Sequence, residues 1–250
     1  MKSILIAFQF LTRIPIQVKD IKTADYPSSM MWFPIIGLFI GLILAAMYFA
    51  ANLVGLSPEI TAAILILILV IITGGLHLDG LSDAADGLYG GKNKDEILKI
   101  MDDSHIGAIG AIAIGLILLL KYSVLVSLLK PPVSIVPILP LILAPVISRW
   151  GMVIAGAIMP PAKKEGLGSS FLSQMRPKHW IIATLITYIC AIGLMHLHGF
   201  ILCMAGLGLV IITIIYIKQK IDGVNGDILG AINEIVELGV LFASYIIYKI

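Results

Sequence analysis

Seven apolar stretches constrain this chain more than any other feature, because few folds can absorb so many. Met31–Leu53, Ile60–Leu76, Trp180–Leu197 and Phe200–Ile217 contain no Asp, Glu, Lys or Arg. Ile109–Leu129 and Val133–Ala155 each hold a single basic residue, Lys121 and Arg149, and the shorter Ile235–Tyr248 begins among acids. About 20 apolar residues cross the hydrocarbon core as a helix, and backbone groups in lipid must pair within the segment. The composition agrees. The chain is 59% hydrophobic and 13% charged, against about 45–50% and about 25% for a soluble domain. The expected architecture is all-α: a polytopic membrane helical bundle of about seven transmembrane helices, forming one integral membrane domain over residues 1–250.

The start, MKSILIAFQFLTRIPIQ, has a short apolar run followed by Arg13 and Pro15 instead of small residues at a cleavage site. A removed signal peptide is therefore not expected. An interfacial helix over Ser3–Thr12 fits, with Arg13 near the headgroups. The LHG between Trp180–Leu197 and Phe200–Ile217 is expected to turn a helical hairpin or to break a single element. Cys190 and Cys203 lie in apolar runs without metal-ligand or disulfide spacing, so buried thiols are expected.

Charge placement orients the bundle. With a cytoplasmic N-terminus, the inside segments carry Lys2, Arg13, Lys19 and Lys22, then Lys92, Lys94 and Lys99. They also carry Lys163, Lys164, Arg176, Lys178, Lys218 and Lys220, whereas the outside segments carry only Lys130 and Lys249. Every loop rich in acid and glycine then falls on the cytoplasmic side.

One such loop is GGLHLDGLSDAADGLYGG, Gly74–Gly91. Read as a helix, it places Asp79, Asp83 and Asp86 at i, i+4 and i+7, on one face. Like charges there repel, more strongly at the end of a span where the dielectric falls. A hard cation resolves the conflict, and Mg²⁺ takes carboxylates together with substrate phosphates. A polar cap on a span would explain one aspartate, but not three on a stripe. His77 falls off that face and reads as a supporting donor, a phosphate contact or a structural histidine. In KIMDDSHIGAIG, Asp103 is expected to face Asp83 and Asp86 across the bundle, while Asp102 reads as a helix-start acid.

A polyphosphate also needs fixed cations. Arg149 lies inside a span and must be paired or line a polar cavity, and Lys121 stands in the same position. The basic loop PPAKKEGLGSSF offers Lys163, Lys164 and Gly168 for closing over a phosphate. In GDILGAINEIVE, Asp227, Glu234 and Glu237 form a second acidic stripe entering a span.

Together these motifs resemble the cobalamin synthase family, the adenosylcobinamide-GDP ribazoletransferases. The resemblance covers nearly the whole chain: FLTRIPI, GGLHLDGLSDAADGLYGG, IMDDSHIGAIG, SRW, EGLGSSF and GDILGAINEIVE, in that order. It implies a Mg²⁺-dependent multi-pass transferase of a prokaryotic cell membrane. Such an enzyme joins adenosylcobinamide-GDP to alpha-ribazole or its 5′-phosphate and releases GMP. His77, Asp79, Asp83 and Asp86 match the signature, and Asp103, Arg149, Gly168, Asp227 and Glu234 are further matches. Within that reading, Asp79, Asp83, Asp86 and Asp103 hold the metal and Asp83 or Asp86 serves as base. Arg149, with Lys163 and Lys164, takes phosphate oxygens.

The chain departs from the expected pattern at Asp102, His105 and Asn225, where a basic residue, arginine and threonine are common. DAADG, Asp83–Gly87, also looks like the opening of the CDP-alcohol phosphotransferase motif, but LYGGKNK follows where an arginine is expected. A cation-coupled transporter would place acids near the midplane within repeats, and none are found. No nucleic-acid partner is expected beside the bilayer and the two substrates. A homo-oligomer, or association with other corrinoid-pathway enzymes, stays open.

Overall fold

The computed structural model describes residues 2–130 and 138–249. Eleven helices and no strand occur among the described residues. In chain order they are α1 (Lys2–Leu11), α2 (Asp25–Met30), α3 (Phe33–Val54), α4 (Pro58–Thr73), α5 (Leu76–Gly90) and α6 (Lys94–Met101). Then come α7 (Ala108–Leu129), α8 (Ile138–Ile158), α9 (Leu167–Leu172), α10 (Pro177–Lys220) and α11 (Gly226–Lys249). The expected all-α membrane bundle is observed, and α1 lies where the N-terminal amphipathic helix was expected. The first residues of the expected span Val133–Ala155, 133–137, lie outside the described residues.

Helix α8 is the centre, with nearly every described side chain buried, and α3, α10 and α11 pack around it. Two glycines let α3 approach closely. A Cβ built on Gly37 would lie 2.8 Å from the Cα of Val146, and one on Gly41 would lie 2.6 Å from the Cα of Ile142. In lipid such small residues favour helix association, since burial of apolar surface no longer drives it.

The span count differs from the expected seven. Among the described residues, five helices are long and apolar enough to cross a bilayer, or six if α4 and α5 form one bent span. The physical reasons are local. At 16 residues, α4 reaches only about 24 Å, short of the roughly 30 Å hydrocarbon core. It ends at Gly74 and Gly75, both left-handed at φ 64° and 72°, where residues other than glycine are strained. Beyond them α5 departs at 88°. The two spans expected over 180–217 are one helical run, α10, broken at His196 with φ 48° and ψ −125°. Its arms fold back on each other, so the hydroxyl of Tyr188 meets the sulfur of Met204 at 3.5 Å.

The last helix also departs from expectation. It begins at Gly226 instead of Ile235, because Asn225 caps it and because Glu234 and Glu237 are buried within it.

Candidate active site

Helix α5 has the expected register, so Asp79, Asp83 and Asp86 do share a face, yet they meet different surroundings. Asp86 accepts from the amides of Gly107 and Gly110, at 2.8 and 2.9 Å, one to each carboxylate oxygen. Those amides belong to the start of α7, where backbone N–H groups otherwise lack partners. A carboxylate also suits the positive end of a helix. Gly107 and Gly110 make room for it: a Cβ on Gly107 would lie 2.6 Å from Cγ of Asp86. Asp86 thus caps α7 from a neighbouring helix. Asp83 is half-buried one turn away, and Asp79 is exposed at the mouth of a cleft.

The cleft arises where α5 crosses α11. Asn225 accepts from the amide of Ile228 at 2.9 Å, capping α11, and donates to Asp227 at 2.8 Å. The out-of-pattern asparagine therefore does the capping work a threonine would do. Loop 160–166 is tied to this turn by Ala162 N–H to the Val224 carbonyl at 2.8 Å and Val224 N–H to the Pro160 carbonyl at 2.9 Å. A Cβ on Gly168 would lie 2.8 Å from the amide nitrogen of Gly226, so the loop closes tightly on the start of α11.

The resulting cavity, about 310 Å³, gathers His77, Asp79, Lys163, Gly168 and Asp227. Asp102 joins them through an ion pair with Lys163. Five of the expected site residues therefore meet in one place.

The others do not line this cleft. Lys164 is exposed on the loop. Asp103 has a side chain 58% exposed and takes His105 at 2.6 Å. The His105 ring and amide hold its carboxyl below the ordinary range. The unusual His105 is thus the partner of Asp103, and the unusual Asp102 is the partner of Lys163.

Arg149 and Glu234 lie inside the bundle. Lys121 of α7 donates to Glu234 and Glu237 of α11 at 2.7 Å each, and Arg149 of α8 donates to Glu237 and, at 3.0 Å, to Ser148. None of the four charged side chains is more than 5% exposed. Two cations and two carboxylates cancel, as buried charges require. His77, also buried, has these charges as its neighbours. It lines the cleft, and its buried Nε2 makes no hydrogen bond among the described residues.

Among the described residues no group of three His, Cys, Asp or Glu side chains is arranged to hold a metal ion. Mg²⁺, however, needs only one or two carboxylates when substrate phosphates complete its shell. Asp79 of α5 and Asp227 of α11 both line the cleft and match that requirement, whereas each Asp86 oxygen accepts an amide of α7.

The motifs did not single out the apolar side of the cavity, formed by Phe10, Phe33 and Phe171 with Met30 and Met152. The available signal was that FLTRIPI begins with Phe10 and EGLGSSF ends with Phe171.

The chain is similar to curated adenosylcobinamide-GDP ribazoletransferases. The protein from Clostridium novyi (strain NT) is 36% identical, with 95% of this chain and 94% of the relative covered. That from Desulfitobacterium hafniense (strain Y51) is 35% identical over 98% and 97%. The one from Syntrophobacter fumaroxidans (strain DSM 10017 / MPOB) is 36% identical over 97% of each. No solved structure matches the chain. The family model described as cobalamin-5-phosphate synthase matches residues 3–245, and the chain belongs to that family.

Proposed function

We propose that this protein transfers the adenosylcobinamide-phosphate group from adenosylcobinamide-GDP to alpha-ribazole or its 5′-phosphate, releasing GMP. The observation that carries this reading is the meeting of Asp79, Asp227 and Lys163 in one cleft at the start of α11, in a chain whose relatives bear that name. Asp79 and Asp227 would hold Mg²⁺, which would supply charge neutralisation for the diphosphate. Lys163 takes phosphate oxygens, and the N-terminus of α11 presents backbone amides to the same anion. The acceptor hydroxyl forms the new O–P bond, the bridging P–O bond breaks, and GMP leaves with the bridging oxygen. The acceptor hydroxyl extends from the cleft to Asp83, which lies one turn along α5 from Asp79, has Asp79 and Asp227 as charged neighbours and takes its proton. Asp86 and the Arg149–Glu237 pair hold the helices that carry these groups.

The cleft opens to the cytoplasm of a prokaryotic cell. A bilayer thinned locally around the short α4 lets it cross, and with both arms of α10 as separate crossings the count is seven, with the N-terminus inside. That topology sets α5, loop 160–166 and the start of α11 on one side, consistent with the asymmetry of Lys and Arg.

The test is purified protein in lipid nanodiscs with both substrates and Mg²⁺, followed by chromatography of the corrinoids. Coupled corrinoid and stoichiometric GMP are expected. Folded protein that makes neither, yet moves a cation or joins a CDP-alcohol, would overturn the reading.

A further inference from the structure

Among the described residues, the cleft is bordered by four carboxylates, Asp79, Asp102, Glu165 and Asp227, and by one lysine, Lys163. An anion entering such a place depends heavily on that one ammonium. The main chain that carries it is pinned. The Ser169 hydroxyl donates to the Lys163 carbonyl at 2.6 Å, and the neighbouring Ala162 amide donates to the Val224 carbonyl at 2.8 Å. Only the flexible four-carbon stem is free to swing. Its ammonium donates to Asp102 and reaches the Leu98 carbonyl at 3.5 Å. Asp227 has both members of this ion pair as charged neighbours.

Asp102 stands where electrostatics disfavours an acid. It caps the C-terminus of α6, its amide bonded to the Leu98 carbonyl at 3.2 Å, and a helix C-terminus already carries partial negative charge. Lys163 answers both, which accounts for the ammonium turning toward α6. The pair is nevertheless loosely held, because the Asp102 side chain is 66% exposed and that of Lys163 25%. Exposed pairs of this kind are weak. Water receives Asp102 when Lys163 leaves, so no charge is stranded in a dry interior.

A phosphate that takes the ammonium has to draw it from Asp102 or share it. A diphosphate competes with more oxygens, and with a chelated metal, than a monophosphate can offer. We infer that Asp102 is a positioning residue for the transfer: it competes with phosphate for Lys163, lowers the affinity of the cleft for phosphate, and takes the ammonium back as GMP leaves. This assignment rests on the proposed transfer reaction and adds to it a means of releasing the product.

The test uses Asp102→Asn, which removes the charge at an exposed position, and Asp102→Glu, which keeps it. Equilibrium dialysis measures the binding of GDP and of GMP, each with saturating Mg²⁺, to both variants and the parent in nanodiscs. The same measurement is made on Lys163→Met with and without Asp102→Asn, and GMP inhibition is measured in the transfer assay. Exposed ion pairs are weak enough that freeing Lys163 should tighten binding about two- to fivefold. Asp102→Asn is expected to bind GDP and GMP more tightly by that factor and to be inhibited by less GMP, while Asp102→Glu matches the parent. In the Lys163→Met background the Asp102→Asn change should have little effect, since Asp102 acts through Lys163. Unchanged or weaker binding in Asp102→Asn, tightening shared by Asp102→Glu or persisting without Lys163, or no binding of GDP to the parent would overturn the assignment. A parent that binds GDP yet makes no coupled corrinoid would sink the transfer reading, and dialysis would still decide the competition for Lys163.

Discussion

Gly80 and Gly230 face each other where α5 crosses α11, and a methyl group on either would press against backbone. A Cβ on Gly80 would lie 3.0 Å from the Cα and carbonyl of Asp227 and 3.3 Å from the Cα of Gly230. A Cβ on Gly230 would lie 3.2 Å from the Cα of Gly80 and from the His77 carbonyl. These neighbours are backbone, so they cannot turn aside as a side chain would. The contact brings the acids of α5 and α11 into one cleft.

Gly80→Ala should therefore push the two helices apart. Overpacking of this kind costs about 1–3 kcal/mol, which would appear as a lowered melting temperature in detergent. Turnover should fall further than stability alone requires, because Asp79 and Asp227 separate. Parent-like melting and parent-like turnover together would show that the crossing is not the scaffold of the site.

Asp86 makes a different prediction from its neighbours on the stripe. Both its oxygens accept backbone amides from α7, and Asn can offer only one acceptor oxygen. Hydrogen bonds to charged groups contribute about 1.5–3 kcal/mol, so Asp86→Asn should lose stability of that order. Its apparent affinity for Mg²⁺ should stay near the parent value. A large shift in Mg²⁺ dependence at unchanged melting temperature would restore Asp86 as a ligand.

The register of α5 was legible because the apolar run before it stops at Gly74 and Gly75, and because four-residue spacing puts the aspartates on one stripe. Their separate fates were not legible. The amides that hold Asp86 lie 21 and 24 residues away. The start of α11 was missed for a similar reason: Glu234 and Glu237 read as a membrane boundary while their cations were unknown. Lys121 lies 113 residues from Glu234, and Arg149 lies 88 residues from Glu237. One chain position cannot report a partner so distant. Phe10, Phe33 and Phe171 were likewise indistinguishable from core until three elements brought them to one wall.

The buried network should behave as a unit. Removing one member strands a charge in the bundle, which typically costs about 3–5 kcal/mol. Lys121→Met is therefore expected to lower the yield of folded protein and its melting temperature sharply. Adding Glu234→Gln should recover part of the loss, a non-additivity that a double-mutant cycle would measure. For Arg149 the same logic separates two roles. Arg149→Met should unfold at lower temperature because Glu237 loses a partner. A normal melting temperature with a raised KM for the phosphate-bearing donor would instead mean that Arg149 reaches substrate.

The metal assignment separates Asp79 and Asp227 from Asp103. The first two border the same cavity, where substrate phosphates can complete an oxygen shell that one or two carboxylates begin. Asp103 is exposed and held by His105 outside it. Asp79→Asn and Asp227→Asn each keep the size of the side chain and remove a charged oxygen. Each should cut turnover at low Mg²⁺ by about tenfold or more, with partial recovery at high Mg²⁺ if the second carboxylate still holds the ion. Calorimetric titration of Mg²⁺ in the presence of GDP should show the same weakening without any turnover. Asp103→Asn should leave both measurements near the parent value, since its carboxyl answers to His105 and not to the cleft. Loss of Mg²⁺ binding in Asp103→Asn, with Asp79→Asn and Asp227→Asn unaffected, would move the metal to the start of α7 and away from the crossing of α5 with α11.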